Sequence, residues 1–75
     1  MMMIKLIKNE KTILSVIETI KRYSETISKE QYIELSMNPK MYEKYISKIR
    51  SNVLCEIRID NELKHNEFVI EIVDL

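Results

Sequence analysis

Not one of the 75 residues is a glycine. Glycine alone reaches positive φ without a steric cost. Its absence excludes the glycine-rich phosphate loop, the dinucleotide fingerprint and the EF-hand loop, which need such residues at fixed places. Tight two-residue hairpin turns are disfavoured for the same reason. The chain is therefore expected to turn through longer polar connections.

The length allows one domain over residues 1–75, burying about 60% of the unfolded chain's surface. Apolar residues make up 45% and charged residues 32%, a globular composition rather than a disordered one. The apolar run Met1–Ile4 is soon interrupted by Lys5 and Lys8, so neither a signal peptide nor a membrane span is expected. That, with a single cysteine, points to the cytoplasm. Abundant Ile, Lys, Glu and Asn without Ala or Gly suggest an AT-rich coding sequence of a low-GC bacterium, its phage or a plasmid.

Periodicity predicts the elements. Met3 to Lys8 alternates loosely and reads as a strand near 3–8. Ile13, Val16, Ile17 and Ile20 make a helical stripe over 10–23, with Asn9 as N-cap and Glu10 in the first turn. Ser28 and Gln31 form a capping box, and Ile27 and Tyr32 a hydrophobic staple, which predict a helix over 28–36. Asn38-Pro39 is an N-cap followed by the proline suited to a first helical position. It opens a helix over 39–50 with Tyr42, Tyr45, Ile46 and Ile49 inward and Met37 stapled to Tyr42. Residues 53–60 and 67–73 alternate and read as two strands of an antiparallel hairpin. In the polar connection, Asn61 and Asn66 are best able to take positive φ.

The resulting α+β order is three helices followed by a β-hairpin. An N-terminal strand is able to complete a three-stranded antiparallel sheet. This resembles a small winged helix in order and spacing, although the helix-turn-helix lacks its usual turn glycine. The resemblance implies a small DNA-binding transcription regulator; the composition adds a phage or plasmid origin, and the modest specificity of one copy calls for a dimer. Lys40, Lys44 and Lys48 step by four along the last helix, and with Arg50 they would meet phosphates of double-stranded DNA. Glu43 and Ser47 would approach base edges. The bland alternative for such lysines is a solvated face.

Charge patterning opens another reading. The formal charge sums to zero, yet residues 1–50 carry a net +4 and residues 51–75 a net −4. Glu56, Asp60, Glu62, Glu67 and Glu71 in the hairpin form an acidic plate, which would repel DNA and suit a basic protein partner. This is the inhibitor or adaptor alternative. Met3, Ile4, Leu6 and Ile7 would be covered by a second copy in a homodimer.

Chemistry is sparse. Cys55 falls on the apolar side of its strand and is expected inward as a small hydrophobe, while His65 is expected exposed. No cluster has metal-ligand spacing. The four tyrosines, Tyr23, Tyr32, Tyr42 and Tyr45, are read as mostly core. The expectation is a non-enzymatic protein with no cofactor, no metal and no small-molecule substrate.

Overall fold

The structure is a computed structural model that describes residues 13–65 and 67–75 in full and residues 2–7 by their backbone. The elements run β1 (Met2–Ile7), α1 (Ile13–Ser24), β2 (Gln31–Met37), α2 (Pro39–Asn52), β3 (Glu56–Ile59) and β4 (Glu67–Asp74). The strands form one mixed sheet in the order β1-β4-β2-β3. β4 is antiparallel to both β1 and β2, whereas β2 and β3 are parallel. Among the described residues, the result is an α+β domain with two helices.

The helix expected over 28–36 is instead the central strand. Its start signal is nevertheless present. The Gln31 Oε1 accepts the backbone N–H of Ser28 at 3.0 Å, and Ser28 Oγ accepts that of Glu30 at 3.3 Å. These bonds close a turn, after which the chain extends. From Gln31 the sequence also has period 2, with Ile33, Leu35 and Met37 on one side and Tyr32, Glu34 and Ser36 on the other. In β2 the first set is buried in the core. Pro39 reinforces the extended state, because a residue before proline is pushed out of the helical region. Asn38 sits there at φ −67°, ψ 149°.

One residue therefore separates β2 from α2, and no helix-turn-helix is formed by residues 28–50. Asn38 ends the strand and caps the helix. Its Oδ1 accepts the Lys40 N–H at 2.7 Å, and its Nδ2 donates to the Leu63 carbonyl at 3.0 Å. The inward stripe of α2 is Met41 and Ile49, with Tyr42 and Tyr45 packed beside them. Ile46 is only half-buried.

The expected hairpin is also absent. β3 and β4 do not pair with each other, because β2 lies between them. β3 begins later than expected, at Glu56, since Val53 ends α2 by donating its N–H to the Ile49 carbonyl. β1 pairs with β4, as a third strand added to residues 67–73 should. The expected cap of α1, Asn9 with Glu10, lies outside the described residues.

Both helices cover one face of the sheet. Ile13, Val16, Ile17 and Ile20 of α1 and Met41 and Ile49 of α2 form a single core with Ile33, Leu35, Met37, Phe68 and Ile70. The register places Leu35 between Ile70 and Ile57, so the core runs across three strands.

No described residue has positive φ, Asn61 included, and Asn66 lies outside them. Side chains end the elements instead. At the end of α1 the Tyr23 carbonyl accepts both the N–H and the Oγ1–H of Thr26 and the N–H of Ile27. At the end of α2, Ser51 Oγ and Asn52 Nδ2 both donate to the Lys48 carbonyl. After β3, Asp60 Oδ1 accepts the Glu62 N–H, forming an Asx turn.

Asn38 thus serves two contacts that substitution separates. Asn38→Asp keeps the cap and loses the donation to Leu63, with an expected cost of about 1 kcal/mol. Asn38→Ala loses both, at about 2 kcal/mol. Urea unfolding of the two variants measures the difference, and equal losses would contradict the dual role.

Candidate functional site

Among the described residues, no helix covers the second face of the sheet. Alternation along the strands puts Tyr32, Glu34 and Ser36 of β2, Glu56 and Arg58 of β3, and Val69, Glu71 and Val73 of β4 there. Register then aligns three carboxylates. Glu34 is directly opposite Glu56 on one side and Glu71 on the other. Neighbouring strands lie about 4.8 Å apart, and like charges directly opposed across a ladder are destabilising. Arg58 offsets part of this, with Nη1 at 3.9 Å from Glu34 Oε1. At this distance and exposure the ion pair is weak.

Of the acidic plate expected from sequence, Glu56 and Glu71 belong to this row. Glu34 was missed because its segment was assigned to a helix. The period-2 pattern of residues 31–37 was the signal that would have found it. Asp60, Glu62 and Glu67 lie apart, in or beside the connection between β3 and β4. Glu67 is only 8% exposed, and its Oε1 accepts the Lys64 N–H at 2.9 Å. It shapes the connection and does not belong to an accessible plate. Asp60 likewise holds its turn, and Glu62 is exposed within it.

A notch adjoins the row. β2 pairs with β4 from Gln31 onward, but β3 joins only at Glu34. The stretch Gln31–Ile33 therefore has no strand beside it on the β3 side. An open groove of about 350 Å³ lies there, lined by Ile27, Tyr32, Ile33, Leu54, Cys55 and Glu56 among others. A second groove of about 370 Å³, lined by Tyr32, Glu34, Glu56, Ile57 and Leu75, adjoins it. The two share Tyr32 and Glu56. Leu54 and Leu75, at 96% and 83% exposure, stand one at each groove. Tyr32, read from sequence as a staple residue, lines both grooves, whereas Tyr23, Tyr42 and Tyr45 pack on the core.

The residues expected to meet DNA are all exposed on α2: Lys40, Glu43, Lys44, Ser47, Lys48 and Arg50. Lys40, Lys44 and Lys48 share one helix face by spacing. The Lys44 Nζ lies 5.5 Å from the Tyr45 ring centroid. The strand preceding α2 deprives this face of the partner helix that a helix-turn-helix provides. For the expected dimer residues Met3, Ile4, Leu6 and Ile7, the backbone forms an edge strand on β4, and their side chains lie outside the described residues.

Cys55 packs half-buried against the core, and His65 is exposed. Burial pushes the Cys55 thiol up to about 11; Arg50 opposes this and Glu56 adds to it. Among the described residues no group of three or more His, Cys, Asp or Glu side chains is arranged to hold a metal ion. No described helix is long and apolar enough to cross a membrane. No family model, no curated protein and no solved structure matches the chain.

A thiol raised in this way stays protonated through neutral pH, and thiolate appears only as pH climbs toward 11. Iodoacetamide alkylation of Cys55 should therefore be slow at neutral pH and rise through that alkaline range. A rate profile with its midpoint at or below the usual thiol value would contradict the burial.

Proposed function

We propose that the protein is a non-enzymatic protein-binding module that docks through the uncovered face of its sheet. The observation that carries this reading is the Glu56–Glu34–Glu71 row on a face flanked by half-buried Tyr32, Val69 and Val73. Opposed carboxylates gain from a cationic partner, and half-covered apolar side chains gain from further burial. The partner class is a protein with a basic, partly apolar surface. An inhibitor or adaptor acts in this way, with no cofactor and no small-molecule substrate. Glu56→Lys with Glu71→Lys should abolish cross-linked capture of that partner in the native cell. The melting temperature should be nearly unchanged. Retained capture by the folded double variant would overturn the reading.

A second reading, DNA binding, rests on the exposed lysine face of α2. Without a helix-turn-helix its support is electrostatic, which favours non-specific phosphate contact. Replacing Lys40, Lys44 and Lys48 together with Glu should abolish duplex DNA binding at low salt, measured by fluorescence anisotropy. No binding by the wild type, or an unchanged variant, removes this reading.

Homodimerisation belongs to either reading. β1 is an edge strand rich in apolar residues, and pairing with a second copy would cover its outer edge. Light scattering at micromolar concentration should give twice the 9.0 kDa chain mass, and a monomer would refute the pairing. The reading as a phage or plasmid protein acting in the cytoplasm rests on composition alone.

A further inference from the structure

The open sheet face is broad, but its two grooves converge on one place. We infer that the notch where β2 runs past the start of β3 is the anchoring point for an extended peptide that places an apolar side chain beside a lysine or arginine. This deepens the protein-binding reading and rests on it.

Three observations combine. First, Gln31–Ile33 of β2 pairs with β4 but has no β3 partner, so the notch exists because the two parallel strands start out of step. Second, its lining is largely apolar, with Ile27, Ile33, Leu54, Cys55 and the Tyr32 ring around an open groove of about 350 Å³. A groove of that size has room for a large apolar side chain. Cys55 is half-buried against the core with a neutral thiol, so it is part of an apolar wall. Third, the groove opens onto Glu56, which it shares with the neighbouring groove holding Glu34.

Charge complementarity selects the occupant. Glu34 and Glu56 are the Asp, Glu, Lys or Arg side chains that line the two grooves, and both are acidic. Arg58 reaches Glu34 at 3.9 Å, and the charge of Arg50 acts on Cys55. Arg58 is 67% exposed in its side chain and can swing aside. A peptide that sets a cation against Glu56 and an apolar side chain in the notch satisfies both chemistries at once. An extended peptide does so because its neighbouring side chains alternate in direction. The short outer edge of β3 borders the same place and offers backbone groups to such a strand.

The test uses the full chain labelled with ¹⁵N and a blocked synthetic peptide of alternating leucine and lysine. Amide shifts should concentrate at Gln31–Ile33 and Cys55–Ile57. Leu54→Ser and Glu56→Lys should each weaken binding by about tenfold, which corresponds to about 1.4 kcal/mol. Both side chains are exposed, so the fold should survive, and the spectra themselves report this. Alternating leucine–glutamate and serine–lysine peptides should bind at least tenfold more weakly. Absence of shifts, equal binding of either control peptide, or binding unaffected by both substitutions would overturn the inference. Shifts confined to Val69, Glu71 and Val73 would also overturn it, while leaving the open face as a protein-binding surface. Self-association lost on Leu54→Ser would reassign the notch to a second copy, and so would overturn the peptide as occupant.

Discussion

The structure depends on β2 lying between β3 and β4. A central strand makes two ladders, one antiparallel with β4 and one parallel with β3. Its buried side chains Leu35 and Met37 then have apolar partners on both neighbouring strands, Ile33 has Ile72 on β4, and all three join the core with both helices. The parallel pairing also demands a crossover, because two parallel strands cannot be joined by a tight turn. α2 is that crossover. The same pairing keeps β3 and β4 apart, and the out-of-step starts of β2 and β3 leave the notch. Topology, open face and notch thus follow from the placement of one seven-residue strand.

A chain without glycine has to end its helices in other ways. Here hydroxyl and amide side chains bond the last carbonyls: Thr26 at Tyr23, and Ser51 and Asn52 at Lys48. Extended residues follow at once, as at Val53 (φ −141°, ψ 156°). The same economy appears at Asn38, which ends a strand, caps a helix and ties down the distant Leu63 carbonyl. Such side-chain caps explain how the chain reverses direction with every described residue at negative φ.

The net-zero charge resolves in space. The lysines of α2 lie on the layer of helices, and Glu34, Glu56 and Glu71 lie on the opposite side of the sheet. The sequence split of +4 and −4 anticipated two faces, but not their membership. Glu34 comes from the basic half and joins the acidic row through register. Asp60 and Glu67 come from the acidic half and are engaged in the connection between β3 and β4.

Local chemistry is what the sequence by itself determined. The stripe of α1, the Asn38-Pro39 start of α2, the alternation of residues 67–73 and the neutral burial of Cys55 all depend on near neighbours and on side-chain period. The Ser28–Gln31 bond also formed as the motif requires, yet it capped a turn. A capping box satisfies backbone donors over four residues, and nothing in those residues dictates what the chain does next. Tertiary structure decided that residues 31–37 extend, because only there could they pair with β4 along their whole length, pair with β3 from Glu34 onward, and be buried on one face. It likewise separated residues 53–60 from 67–73. Alternation defines which side chains share a face, but partner choice depends on which strand lies between, and the carboxylate row and its notch are set by that choice.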